Sequence, residues 1–222
     1  MLELINISKR YKDKWVLKDI HMKLNEERCV GILGVNGSGK TTLLSILAGV
    51  LKPNSGKVMY NNIDLLKNQT LRRKLIAYIP QKSPLIEELN ALDNLKLWYD
   101  KEELKKEISS GVISLLGVDE FLKKPVSALS MGMKKRLSLA CAVASKPKIL
   151  LMDEPSAYLD IICKADIHRY MNEHKKQGGS IILVSHDVGD FAVCDDYYLL
   201  KSGILRPFEY KDNVDELIKI IG

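Results

Sequence analysis

The chain has 222 residues, 46% hydrophobic and 28% charged, with a formal net charge of +6. This composition excludes a disordered chain and suits one sizeable α/β domain with a core of its own. No apolar run approaches the ~18–20 residues of a membrane span, and MLELINISKRYKDK lacks the long apolar centre of a secretory leader. A cytoplasmic chain is expected, with any membrane role exerted through a partner. The mild positive charge fits nucleic acid, anionic lipid or nucleotide equally and decides nothing alone. Cys29, Cys141, Cys163 and Cys194 form no C-x-x-C pair and read as reduced, buried apolar residues.

In chain order, ELINI (3–7) and the alternating IHMKL (20–24) read as strands, and GKVMY (56–60) adds another. Together they predict an antiparallel β subdomain at the N-terminus. CVGIL (29–33), ILLM (149–152) and IILV (181–184) are different. They are short, apolar on both faces and end in polar residues, as central strands of a parallel sheet do. Ligands of open α/β sheets bind at the carboxyl ends of such strands. Between them, residues from about 84 to 145 read as an inserted helical subdomain. Leu104, Ile108, Val112 and Leu115 keep helical spacing, and Pro125 breaks the pattern. The expected architecture is a single domain over 1–222: α/β, with a mostly parallel central sheet.

The first central strand runs into GVNGSGKTT, which matches G-x-x-x-x-G-K-[ST] with Gly34, Gly39, Lys40 and Thr41 and leads into the apolar helix TTLLSILAG. Strand, loop, lysine, hydroxyl and helix stand in the order of a phosphate-binding P-loop. Backbone N–H groups over Gly34, Asn36, Gly37, Ser38, Gly39, Lys40, Thr41 and Thr42 are expected to cradle phosphates at a helix N-terminus. Lys40 should reach the β- and γ-phosphates, and the Thr41 hydroxyl should ligate Mg²⁺. Asp153, ending the second central strand, suits the Mg²⁺ shell. The adjoining Glu154 can orient or deprotonate an attacking water.

With these motifs in this order, the chain resembles the ATP-binding subunit of ABC (ATP-binding cassette) transporters, a P-loop NTPase fold, over essentially its whole length. The resemblance implies further roles. Tyr11 is similar in position to the aromatic that stacks on adenine, with Trp15 the alternative. Gln81, in AYIPQ, resembles the glutamine that contacts Mg²⁺ and signals to the membrane subunit. His186, in LVSHD, resembles the switch histidine at the γ-phosphate. LSMGMKKR (129–136) resembles the signature LSGGQxxR. In that family two cassettes pack head to tail, each signature helix facing the other's nucleotide. Ser130 is then expected to act as helix cap and phosphate donor, and Gly132 to offer a close backbone N–H.

Lys134, Lys135 and Arg136 follow the start of this helix, where positive charge opposes the helix dipole. An anion arriving from across the dimer accounts for them. Met131 replaces the usual first glycine of the signature, Met133 its glutamine, and Tyr158 a small residue of the dimer-crossing SAYLD segment. These departures predict normal ATP binding with low or partner-dependent turnover, or at the extreme a regulatory module without turnover.

The resemblance therefore implies an ATPase that uses ATP and Mg²⁺ to power a transporter. Its partners would be a second ATP-binding subunit, in a homodimer or heterodimer, and separate transmembrane permease subunits. It would sit peripherally at the cytoplasmic face of the cell membrane. The signature variant and the short stretch after His186 favour export. The alternative is a soluble ABC-type ATPase acting on nucleic acid or the ribosome, but the scattered basic residues form no aromatic-interleaved stripe and no nucleic acid is expected. His21, His168 and His174 form no H-x-x-x-H pair and read as surface groups, so no zinc is expected. The tail VDELIKIIG (214–222) is amphipathic and is expected to pack on the core.

Overall fold

The structure, a computed structural model, describes residues 1–157 and 159–209. Tyr158 and the tail at 214–222 lie outside the described residues.

Among the described residues, β1 (Leu2–Tyr11), β2 (Lys14–Leu24), β4 (Ser55–Tyr60) and β5 (Ile63–Asp64) form an antiparallel sheet in the order β2-β1-β4-β5. The second sheet holds β3 (Cys29–Leu33), β6 (Ile76–Ile79), β7 (Ile149–Asp153), β8 (Ser180–Val184), β9 (Asp196–Lys201) and β10 (Ile204–Pro207) in the order β10-β9-β3-β8-β7-β6. Its neighbours run parallel except for the β9–β10 hairpin. The three apolar runs are therefore adjacent strands. β6 and the β9–β10 edge were not anticipated.

Alternation along the central strands divides the core in two. Ile149 and Leu151 of β7, with Ile182 and Val184 of β8, face α1 (Lys40–Ala48) and the antiparallel sheet. Leu150, Met152, Ile181 and Leu183 face the other way, toward α3 (Ala91–Lys96), α6 (Met131–Ala142) and α7 (Ile161–Lys176). Each of these side chains is almost fully buried, contributing about 1.5–3 kcal/mol apiece. α1, clamped between the two sheets, is thereby fixed directly behind the loop that ends β3. α2 (Gln69–Leu75) covers the start of β6.

The helical spacing from Leu104 to Leu115 belongs to two helices, α4 (Lys101–Ser110) and α5 (Val112–Leu115), broken at Gly111. The Glu107 carboxylate accepts from the Val112 N–H at 2.7 Å, and a Cβ at position 111 would lie 2.0 Å from it. The acid takes the place where a continuous helix needs a side chain.

Two of the three histidines read as surface groups are not. His21 is exposed, but His174 is buried and stacks on Tyr170 at 6.1 Å, while His168 is half-buried against Asp190. Burial lowers the pKa of His174 below the usual 6.5. In the folded chain it stays neutral where the unfolded chain takes up a proton, so its contribution is full above pH 6.5 and is lost as pH falls below that. Urea unfolding at pH 7.5 and 5.5 should show less acid destabilisation in His174→Leu than in the parent, by up to about 1.4 kcal/mol per pH unit.

Candidate nucleotide site

The carboxyl ends of β3, β7 and β8 open on one cavity of about 380 Å³. Tyr11, Asn36, Gly37, Gly39, Lys40, Thr41, Thr42, Gln81, Asp153, Glu154 and His186 all line it. Twelve residues line the cavity in all, and Val16 of β2 is the one that sequence reasoning did not name. Trp15 lies outside this lining, which favours Tyr11 as the aromatic contact; the Lys9 ammonium sits 5.3 Å from the Tyr11 ring centroid.

The loop from Gly34 to Gly39 turns through left-handed backbone at Gly37 (φ 78°) and Gly39 (φ 109°). A side chain at Gly39 would also collide with Val16, 2.9 Å from its Cβ position. α1 starts at Lys40 with no side-chain cap and no acid in its first turn. Its N–H groups and positive dipole end are free for an anion. The Lys40 ammonium bends back to donate to the carbonyls of Gly34 (2.6 Å) and Val35 (3.2 Å). Burial lowers its pKa, while Glu154 and Asp153 act to raise it. Gly34 and Ser38 do not line the cavity. Ser38 is buried, and Gly34 lies so close to the Leu200 carbonyl that a Cβ would come within 2.5 Å of it.

Asp153 is almost fully buried, and burial raises its pKa. Its carboxylate accepts from the Tyr78 hydroxyl at 3.2 Å, and the Thr41 side chain acts to lower the same pKa. Burial together with Asp153 pushes Tyr78 up to about 12. The Thr41 hydroxyl, the Asp153 carboxylate and the Gln81 amide, all on the same cavity, form the hard-oxygen set that suits Mg²⁺. Among the described residues no cluster of three His, Cys, Asp or Glu could cage a metal.

Glu154 takes the left-handed conformation (φ 50°), sparsely populated for a residue with a side chain. Its N–H donates to the Val184 carbonyl at 2.8 Å, which fixes the turn to β8. The carboxylate then meets the next loop. Oε2 lies 2.7 Å from His186 Nδ1 and accepts from the His186 N–H at 3.2 Å. His186 is 55% exposed and Glu154 8%, so the histidine is the partner free to turn away.

Ser130 caps α6, accepting from the Met133 N–H at 3.2 Å. Neither Ser130 nor Gly132 lines the cavity. Gly132 is instead the close contact between α6 and α7, since a Cβ there would lie 2.5 Å from Cys163 Sγ. The three cations that follow each have a partner within the chain. Lys134 pairs with Glu87 (2.9 Å), Lys135 donates to the Pro80 carbonyl (2.8 Å), and Arg136 binds the Leu116 carbonyl (3.0 Å) and covers Phe121 at 5.5 Å. All three are long enough to leave the helix start and find partners in their own chain. Lys135 is buried, which pushes its pKa down to about 8.

A P-loop at the end of β3, a buried acid at the end of β7 on the same sheet edge and a capped helix held apart from both define a nucleotide-binding cassette. The sequence profile described as ABC transporter matches residues 17–157, and the chain belongs to this family. It is 34% identical to the spermidine/putrescine import ATP-binding protein PotA of Mesoplasma florum, covering 93% of this chain but spanning only 60% of that protein. It is also 34% identical to the uncharacterized ABC transporter ATP-binding protein YybJ of Bacillus subtilis, covering 94% of this chain and 96% of that one. Among solved structures, the dimeric post-hydrolysis state of the ATP-binding cassette MJ0796 with ADP and Pi superposes with a TM-score of 0.84. That pair shares 27% identity, over 96% of this chain and 100% of that one.

The Gly132 contact is directly testable. Gly132→Ala should cost about 1–3 kcal/mol through overpacking, read by urea unfolding. Cys163→Gly in the same chain should recover most of the loss.

Proposed function

We propose that this chain is the ATP-binding and ATP-hydrolysing subunit of a membrane transporter. The observation that carries the reading is the single cavity joining Lys40 and Thr41 to Asp153, Glu154, Gln81 and His186. Tyr11 would stack on the adenine, and the amides of 36–42 with Lys40 would hold the phosphates. Thr41, Asp153 and Gln81 would hold Mg²⁺, which neutralises charge on the β- and γ-phosphates when bound. His186, released from Glu154, would turn to the γ-phosphate. Glu154 would then be free to accept a proton from the attacking water.

Within one chain this set is incomplete, because Ser130 and Gly132 face elsewhere. A head-to-tail pair supplies them from the second cassette, giving two composite sites in a C2 dimer. The dimeric MJ0796 cassette supports this arrangement. So does the exposed apolar surface beside the signature: Met131 is 63% exposed, Ile161 85% and Ile162 74%. Among the described residues no helix is long and apolar enough to cross a membrane. The permease is proposed as separate subunits, docked on the helical subdomain at about 84–145 and on the segment 82–94 that follows Gln81, with the cassette at the cytoplasmic face. The signature variant favours export as the direction.

Light scattering of Glu154→Gln with and without MgATP tests the reading. A nucleotide-dependent shift from monomer to dimer is expected, and Ile161→Asp in the same chain should abolish the shift while ATP binding persists. A chain that fails to bind ATP would overturn the proposal.

A further inference from the structure

The switch loop after β8 is tied to α7 by a ladder of charges that the catalytic reading does not use. Lys164, His168 and Lys175 lie at i, i+4 and i+11 of α7, a spacing that puts all three on one helix face. Opposite them, in the same order, stand Asp187, Asp190 and Asp195. Lys164 pairs with Asp187, His168 Nε2 meets Asp190 Oδ1 at 2.9 Å, and Lys175 Nζ meets Asp195 Oδ2 at 3.2 Å.

The middle rung is also a junction. The Asp190 carboxylate is 1% exposed and accepts from Ser156 Oγ at 2.5 Å and from Ser185 Oγ at 2.7 Å. Ser156 stands two residues beyond Glu154 and two before the dimer-crossing position 158. Ser185 precedes His186, accepts from the Asp187 N–H at 2.9 Å and lies 3.3 Å from Glu154 Oε2. One buried carboxylate thus joins the loop after β7, the loop after β8 and α7. A buried charge held by donors from separate elements fixes their relative geometry, because removing any one donor leaves the carboxylate under-compensated.

At its other end, α7 begins with the exposed Ile161 and Ile162, the surface assigned above to the second cassette. We propose that Lys164, His168 and Asp190 are positioning residues: through Asp187 and Ser185 they hold His186 and Glu154 at the nucleotide cavity and deliver to them any displacement of the α7 N-terminus by the second cassette. The inference rests on the ATPase reading for its catalytic consequence, but its mechanical content stands on the ladder alone.

The first rung is the place to test it, because Lys164 and Asp187 are each about 30% exposed. Lys164→Asp, Asp187→Lys and the double swap are compared in the full chain, with Lys164→Gln as the milder variant should a reversal fail to fold. Two readouts are needed. One is MgATP turnover at protein concentrations that support the dimer, and the other is amide hydrogen exchange over 185–194 without nucleotide. Each single variant should lower kcat about ten-fold or more with KM little changed, as misplacement of a catalytic group does, and should speed exchange in 185–190. The swap should restore both. Singles with unchanged exchange, or a swap no better than the singles, overturn the ladder. A parent chain that binds ATP without turnover, alone or with its membrane partner, overturns the ATPase reading instead, and the exchange data then decide the ladder by themselves.

Discussion

The structure depends on one constraint: β3, β7 and β8 are buried on both faces. A strand packed against α1 on one side and against α3, α6 or α7 on the other has no place for a polar side chain along its length. Polar chemistry is displaced to the strand ends, and the parallel pairing brings all three ends to the same edge. Gly34, Glu154 and Ser185 are neighbours for that reason, although up to 151 residues separate them in the chain. The strained backbone at Glu154 belongs to the same geometry. Its N–H is consumed by β8, so the carboxylate turns across to the next strand end and meets His186.

This also decides what could be read from the sequence. A fully apolar run followed by G-x-x-x-x-G-K-T, by Asp-Glu or by Ser-His-Asp carries strand, strand end and reactive group together in one short window. Those elements and the cavity they share were legible without coordinates. β6 was not, since IAYI is short and contains a tyrosine whose hydroxyl serves Asp153. The break at Gly111 was missed because apolar spacing passes through it undisturbed; the signal lay in Glu107, one turn earlier, which caps the next helix.

The larger failures share a cause. Lys135, His168, His174 and Asp190 are polar residues whose environment is set by segments distant in sequence. Helical spacing cannot show that Lys135 reaches the carbonyl of Pro80 or that His168 meets Asp190. The intrachain partners of the cations after the signature were hidden for the same reason. The charge of these cations was visible, but the partners that satisfy it lie on two other segments, the loop after β6 and the end of α5. Charge near a helix start states a cost of a few tenths of a kcal/mol, and the fold supplies the compensation.

The buried polar links have a common placement that stability alone does not account for. Lys135, its pKa driven down by burial, ties the signature helix to the residue before Gln81. Asp190 ties α7 and the loop leading to position 158 to the residue before His186. An apolar side chain of similar volume would cost less to bury than either charge. What a hydrogen-bonded charge adds is direction: it couples two segments in one geometry, where apolar contact lets them slide. Both links run from an element on the proposed partner-facing surface to the residue immediately before one that lines the nucleotide cavity. If the site is completed by a second copy, as proposed above, that is where directional coupling is needed. In the proposed dimer, closing of the pair would reach Gln81 and His186 through the chain itself, because Ser130 and Gly132, which would touch the partner's nucleotide, stand apart from their own.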